Sequence, residues 1–144
     1  MRVLVCGGRH YADEKKLFET LSRINITERI TCIINGGAPG ADFLSTLWAI
    51  RNKTASKSIP AKWKDLEVEG AVIKTGRFGD YNCMAGFTRN QKMIDEEKID
   101  LVVAFPGGMG TADMVNRARE ANVHVVRGTK STFNFSTVKD ILEL

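Results

Sequence analysis

Three apolar runs in this chain each end in a cluster of glycines. The runs are residues 3–6, 31–34 and 101–105, and the clusters are Gly7-Gly8-Arg9, Gly36-Gly37-Ala38-Pro39-Gly40-Ala41-Asp42 and Pro106-Gly107-Gly108-Met109-Gly110-Thr111. Short continuous apolar runs are typical of strands in a parallel sheet that is covered on both faces. The carboxyl ends of such strands share one edge, and ligands bind there. We therefore expect the three loops to meet in one place, which we call the glycine rim.

Apolar residues at helical spacing predict helices of about 13–25, 41–55, 85–98 and 111–121. They alternate with the strands, and residues 123–126 predict a last strand. This alternation predicts an α/β fold: a single Rossmann-like, doubly wound parallel sheet with helices on both faces. We expect one domain over residues 1–144, with a core of about 1–127. The tail of about 128–144 is expected to carry a short helix near 136–143.

The pattern is weakest between the second and third predicted helices. Residues 58–61 predict a short strand, which Pro60 weakens. Residues 64–83 are irregular and contain three glycines. A hairpin over residues 68–74 and a mobile lid both fit this segment.

The composition restricts the class of protein. No run of about 18 apolar residues occurs, so no membrane span is expected, and the amino terminus lacks the layout of a signal peptide. Cys6, Cys32 and Cys83 show no CxxC spacing, and the first two fall in predicted buried strands. We interpret them as core residues of a reduced, cytoplasmic protein. No cluster has the spacing of metal ligands, so neither a metal nor a cofactor is predicted.

The loops themselves predict a site for a phosphate-bearing small molecule. Glycine lets the backbone approach an oxyanion closely, and a helix that starts at each loop directs free N–H groups and a positive dipole end toward it. The loop after the third run is the most specific, because three glycines within four positions exceed what a tight turn needs. Thr111 can either cap its helix or donate its hydroxyl to a phosphate. Neither a GxGxxG fingerprint nor a P-loop is present.

Charged side chains near the rim suggest further roles. Arg9 follows the first loop, where a guanidinium suits bidentate contact with phosphate. Arg89 lies beside Asn90 on the third helix, and its partner is either a ligand phosphate or an internal acid. Asp42 caps its helix, fixes its loop or contacts a ribose hydroxyl. The predicted ligand-binding residues are Gly7, Gly8, Arg9, Gly36, Gly37, Ala38, Gly40, Asp42, Arg89, Asn90, Pro106, Gly107, Gly108, Gly110 and Thr111.

A basic stretch lies between the second helix and the irregular segment. It contains Arg51, Lys53, Lys57, Lys62 and Lys64 with no acid among them, in a chain of net charge +4. A solvated helix end and loop explains it, and contact with nucleic acid is the alternative.

The glycine motifs resemble those of the SLOG superfamily, a group of Rossmann-like domains that includes the LOG proteins and the DNA-processing protein DprA. The nearest resemblance is to the YspA-type, YpsA-related proteins of bacteria and phages. It covers Arg2 to about Val126 and rests on the three loops, on Trp48-Ala49, and on Ala85-Gly86 with Arg89, Asn90 and Met93. The resemblance implies a nucleotide-type ligand that is sensed, sequestered or processed, and a homodimer or a higher homo-oligomer.

One departure from the LOG pattern bears on catalysis. LOG enzymes hydrolyse the N-glycosidic bond of nucleoside monophosphates and carry PGGxGTxxE with a catalytic Glu. Here that position is Met114, and Asp113 is rotated about 100° around the helix. We therefore favour a binding protein without a catalytic residue. The alternatives are an N-glycosidic hydrolase that uses Asp42 or Asp113, and a DprA-like module that binds nucleic acid.

Overall fold

A computed structural model describes residues 1–128 of the chain. Its elements, in chain order, are β1 (Arg2–Cys6), α1 (Glu14–Thr27), β2 (Cys32–Asn35), α2 (Ala41–Arg51), β3 (Ala55–Ser58), β4 (Ile73–Gly76), β5 (Gly79–Asn82), α3 (Ala85–Glu96), β6 (Leu101–Ala104), α4 (Met109–Glu120) and β7 (His124–Arg127). The helix predicted near residues 136–143 lies outside the described residues.

Five strands form one parallel sheet in the order β3-β2-β1-β6-β7. The chain builds outward from β1 to β2 and β3, and then returns to the other side of β1 with β6 and β7. This reversal leaves a crevice beside the carboxyl end of β1, where ligands bind in open α/β sheets. The predicted Rossmann-like, doubly wound parallel sheet is therefore confirmed.

Alternating side chains bury both faces of the sheet. In β1, Val3 and Val5 pack in one core cluster with residues of α1 and α2, such as Leu17 and Trp48. Leu4 points to the opposite face and packs in a second cluster with residues of α3 and α4. A strand that is covered on both faces needs apolar residues at every position, and this explains the continuous apolar runs.

The segment between α2 and α3 differs from its prediction. The strand expected at 58–61 is β3 and lies earlier, so α2 ends at Arg51 rather than near residue 55. Pro60 cannot donate a ladder hydrogen bond, and β3 accordingly ends before it. The hairpin lies at β4 and β5 rather than at residues 68–74. Its turn consists of residues 77 and 78, between Gly76 and Gly79, and Gly79 has a φ of +100°. Among residues 1–128, no helix combines the length and apolar character needed to span a membrane.

Candidate ligand-binding site

The three glycine loops meet at the carboxyl ends of β1, β2 and β6 and line one open cavity of about 620 Å³. All predicted ligand-binding residues lie on its wall except Gly37, Gly40 and Arg89. The wall also contains residues outside that prediction: Leu4, Val5, Cys6, His10, Tyr11, Met93, Met109 and Met114. His10 and Tyr11 could have been identified from the sequence, because they directly follow the first loop.

Glycine in the first loop permits close packing against the other two loops. A Cβ atom at Gly7 would lie 2.6 Å from the Cβ atom of Ala41, and one at Gly8 would lie 3.0 Å from the carbonyl oxygen of Pro106. The N–H of Gly8 donates to that same carbonyl oxygen at 2.8 Å. The protein therefore uses this N–H itself, contrary to the expectation that it faces a ligand.

The second loop is closed by its own polar groups. Oδ2 of Asp42 accepts hydrogen bonds from the N–H groups of Gly36 at 3.1 Å and Ala38 at 3.2 Å. The N–H of Gly37 donates to Oδ1 of Asn35 at 2.9 Å. Asp42 thus fixes the loop, which is one of the roles predicted for it. These backbone donors, too, are occupied by the protein rather than available to a ligand.

Gly40 joins the second loop to the first. Its φ of +80° lies in the left-handed region, and a Cβ atom there would meet the carbonyl oxygen of Gly8. The next residue, Ala41, donates its N–H to that oxygen at 3.2 Å. Gly40 therefore serves the contact between loops and is not on the cavity wall.

Asp42 is the acidic group on the wall of the cavity. Burial raises the pKa of its carboxyl, while the N–H groups of Ala38 and Gly36 and the guanidinium groups of Arg89 and Arg9 oppose the increase. A carboxyl with a raised pKa can exchange a proton closer to neutral pH than an exposed one.

Arg89 differs from its predicted role. Its Nη1 donates to the carbonyl oxygens of Gly36 and Ile59, both at 3.0 Å, and its Nε donates to Oδ1 of Asn90 at 3.0 Å. These two carbonyls directly follow the ends of β2 and β3. Arg89 therefore stabilises the second loop from α3 rather than from the cavity. It does not line the cavity, and the structure does not bring it to the predicted phosphate site.

Asn90 connects α3 to the first turn of α4. Its Nδ2 donates to the carbonyl oxygen of Gly110 at 3.2 Å and to Oδ2 of Asp113 at 3.0 Å. Arg117 also binds Asp113, with Nε at 2.8 Å from Oδ2. Asp113 is therefore held between the two helices and does not line the cavity, as its rotation from Met114 predicted.

The floor of the cavity is apolar. Met114 is 1% exposed and packs with Leu4 and Met93. Burial, with a smaller contribution from Asp42, raises the pKa of the Cys6 thiol to about 12. At neutral pH this floor provides neither a carboxylate nor a thiolate.

The glycines of the third loop differ in whether packing requires them. A Cβ atom at Gly107 would lie 2.7 Å from the backbone nitrogen of Gly8 and 2.9 Å from the carbonyl carbon of Gly7, so this glycine is needed for packing. A Cβ atom at Gly108 or Gly110 would meet nothing within 4 Å. These two glycines leave space at the cavity that packing does not require.

The first turn of α4 contains free backbone donors. Gly108 is the N-cap and provides no side-chain hydrogen bond. Within residues 1–128, the N–H groups of Gly108, Met109, Gly110 and Thr111 have no protein acceptor. Of the predicted oxyanion donors, those at the start of α4 are thus available to a ligand.

Arg9 is exposed at the same cavity. Its guanidinium has no hydrogen bond and no ion pair with any other residue in the range 1–128. The basic stretch behaves differently: Arg51 pairs with Glu14 at 2.9 Å and Lys57 pairs with Glu97 at 2.7 Å. Part of that stretch is thus neutralised within the fold.

The described residues contain no group of three or more His, Cys, Asp or Glu side chains that could hold a metal ion.

Comparison with known proteins supports the same fold. DNA processing protein A (DprA) from Streptococcus pneumoniae superimposes with a TM-score of 0.63 at 14% sequence identity. The match covers 99% of this chain and 56% of that one, so this chain spans little more than half the length of DprA. At this identity the likeness shows the fold alone. Comparison with curated protein sequences gives no match.

A family model matches the amino-terminal part of the chain. Residues 1–65, which contain the first two glycine loops, match the YAcAr family, described as the YspA, cpYpsA-related SLOG family. Through these residues, the amino-terminal part of the chain is similar to the YspA and cpYpsA-related SLOG family.

Proposed function

We propose that this protein binds a nucleotide, or a small molecule derived from one, through a phosphate group at the glycine rim. The observation that carries the proposal is the division of backbone donors among the three loops. The N–H groups of Gly8, Gly36 and Ala38 have protein acceptors, whereas those at the start of α4 have none among the described residues. The start of α4 is therefore a place at the rim where an oxyanion can be bound by backbone donors.

Two further features favour an anion at this place. The N-terminus of α4 carries the positive end of the helix dipole, and the space beside Gly108 and Gly110 lets a phosphate approach the backbone. Arg9 supplies an exposed positive charge without an internal partner in the part of the chain described. In this proposal Asp42 shapes the second loop and faces the sugar hydroxyls.

We propose binding, for sensing or sequestration, rather than turnover. The position of the LOG catalytic Glu is the buried Met114, and Asp113 is fixed between α3 and α4. An N-glycosidic hydrolase is the second candidate, and one observation favours it: Asp42 lies on the cavity wall with a raised pKa. Release of free base from nucleoside monophosphates separates the two candidates.

A nucleic-acid partner is the third candidate, and the name DNA processing protein A is the reason to test it. Pairing of Arg51 and Lys57 with acids removes part of the charge that this role requires. A steep decrease of oligonucleotide affinity with salt would favour it.

Two further expectations concern the oligomeric state and the location of the protein. We infer a homodimer or higher homo-oligomer, because Phe43 and Ile50 are exposed on α2, at 62% and 66%. We infer a cytoplasmic location from three free thiols, Cys6, Cys32 and Cys83.

The test combines identification of the ligand with a variant of the rim. Native mass spectrometry of the purified protein is expected to show a co-purified nucleotide. Calorimetry with that nucleotide is then expected to show no binding by Gly108→Val, since the side chain fills the place of the phosphate. Ala112→Val is the control, because it places the same valine side chain on an exposed position of α4 off the cavity wall. Unchanged affinity in folded Gly108→Val would remove the third loop from the site.

A further inference from the structure

We propose that the β4–β5 hairpin forms a second subsite, which stacks a second planar base, and that the ligand has two nucleoside units joined through phosphates. The inference rests on the proposed phosphate site at the glycine rim. The subsite is an open cleft of about 450 Å³ beside the rim, and we call it the hairpin cleft. Its side chains are Arg9, Trp63, Lys64, Arg77, Phe78 and Tyr81.

The composition of the hairpin cleft matches an aromatic anion. Three of its side chains are aromatic and three are cationic, and no carboxylate among the described residues lines it. Aromatic rings stack on nucleobases because every base has a π-face, while nearby cations attract the phosphates. A purely apolar partner would leave these three charges without a counterpart.

Phe78 is presented to solvent by a well-held turn. Its side chain is 85% exposed, and it packs in neither core cluster. Lys64 holds the turn, since its Nζ donates to the carbonyl oxygens of Phe78 at 2.8 Å and Asp80 at 3.0 Å. Arg77 places its guanidinium 5.5 Å from the centre of the phenyl ring. The turn therefore positions an aromatic ring that the packing of the described residues does not require.

Trp63 forms another part of the cleft. Its ring meets that of Tyr81 edge to face, with centres 6.4 Å apart. It lies against Gly86 at the start of α3, where a Cβ atom would be 3.0 Å from its Cη2 atom. The ring is thus fixed in place while 37% of the residue stays exposed. A fixed, half-exposed ring can stack on a base at little cost in conformational entropy.

Arg9 joins the two sites, because it lines both the rim cavity and the hairpin cleft. A phosphate chain that starts at α4 and passes Arg9 leads directly to the rings. Two adjoining sites fit a ligand of two units. A long nucleic acid needs a basic track beyond them, and Arg51 and Lys57 are paired with acids instead.

The experiment compares one-unit and two-unit probes. The probes are the 5′-monophosphates of adenosine, guanosine, cytidine and uridine, and the symmetrical dinucleoside tetraphosphate of each base. Calorimetry with the full chain is expected to show that the best two-unit probe binds at least about fivefold more tightly than its monophosphate, the lower range for one stacked ring. Phe78→Ala is expected to remove this advantage without changing the affinity for the monophosphate, and Phe78→Trp to keep it. Ile26→Ala, an equally exposed apolar residue on α1, is the control.

Fluorescence gives an independent reading. Trp48 is fully buried, so a stacked base quenches the emission of Trp63 alone. We expect the two-unit probe to quench the emission, and Trp63→Phe to abolish the quenching while retaining binding.

The outcomes separate the two proposals. Equal affinities for one-unit and two-unit probes, or an advantage that survives Phe78→Ala, would overturn the second subsite while the rim site stands. Binding that Gly108→Val leaves intact, or no binding of any probe, would overturn the rim site and this inference with it. If a single-stranded oligonucleotide alone depends on Phe78, the cleft serves nucleic acid and the two-unit ligand is rejected.

Discussion

Nη1 of Arg89 lies 3.0 Å from the carbonyl oxygen of Gly36, to which it donates a hydrogen bond across the gap between α3 and the second glycine loop. The same nitrogen also binds the carbonyl oxygen of Ile59. Burial lowers the pKa of this guanidinium, and Asp42 opposes that decrease. One side chain thus supports the ends of β2 and β3 together with the acid that closes the loop.

Replacement of Arg89 is therefore expected to reduce stability. Arg89→Ala leaves the carbonyl oxygens of Gly36, which is buried, and Ile59, which is half-buried, without their donor. A buried unsatisfied group costs about 1–3 kcal/mol. Urea denaturation is expected to show this decrease in the free energy of unfolding, whereas Lys92→Ala, on an exposed position of the same helix, leaves it unchanged. A stable Arg89→Ala protein that fails to bind nucleotide would restore Arg89 to the phosphate site.

Arg9 is expected to show the opposite behaviour. Arg9→Ala removes a charge without a partner among residues 1–128, so the midpoint of thermal unfolding should not change. Affinity for the bound nucleotide is expected to decrease by about 1.5–3 kcal/mol, the range for a hydrogen bond to a charged group. Arg9→Lys is expected to restore part of it, since lysine lacks the planar fork. Calorimetry at two salt concentrations tests this, and parental affinity in both variants would exclude Arg9.

The glycines of the third loop are expected to divide into two classes. Gly107→Ala places a carbon within 2.7 Å of the nitrogen of Gly8 and should cost about 1–3 kcal/mol in stability through overpacking. Gly110→Ala meets nothing within 4 Å in the first turn of α4 and should stabilise the helix by up to about 1 kcal/mol. The same methyl group narrows the cavity, so nucleotide binding weakens. Equal melting temperatures for the two variants would contradict this division.

The stability of the protein is expected to depend on the ionisation of Asp42. Because burial raises its pKa in the folded state, the folded protein binds this proton more tightly than the unfolded chain does. Stability from this group is thus lost as the pH rises through its folded pKa, and is regained as the pH falls toward its ordinary value of about 4.

Asp42→Asn tests this dependence, since its amide oxygen can still accept the two loop N–H groups. We expect the variant to be more stable than the parent at pH 7.5, with a difference that shrinks as the pH approaches 4. A difference that does not change with pH would show that the charge of Asp42 has no part in it.

The last prediction is that the protein releases no free base from nucleoside monophosphates. General acid–base catalysis contributes about 10²–10⁴-fold, and Met114 cannot provide it. Chromatography of a prolonged incubation with AMP, GMP, CMP and UMP is the measurement. Robust release that Asp42→Asn abolishes would replace the binding proposal by the hydrolase.

The centre of the sheet could be predicted from the sequence because β1, β2 and β6 are buried and each leads into a glycine loop. The same reasoning could not place Arg89, since its spacing from Met93 gives a helix face but not the carbonyls of Gly36 and Ile59 that meet it. Nor could it separate Gly107 from Gly108. Gly107 is required by its contact with the first loop, whereas Gly108 borders empty space. Neither the contact nor the space can be seen in a linear sequence. The hairpin was misplaced because its exposed strands lack the apolar alternation that marks a buried one.

The contacts of Gly7, Gly8, Gly40 and Gly107 have a consequence for how such proteins diverge. Each of these glycines is required by an atom of another loop, so a larger residue in one loop demands a compensating change far away in the sequence. The three loops are therefore sterically coupled, and a change in one calls for a change in another. Gly108 and Gly110 are free of this restriction, so a single substitution at either position can reshape the proposed anion site without disturbing the contacts between the loops.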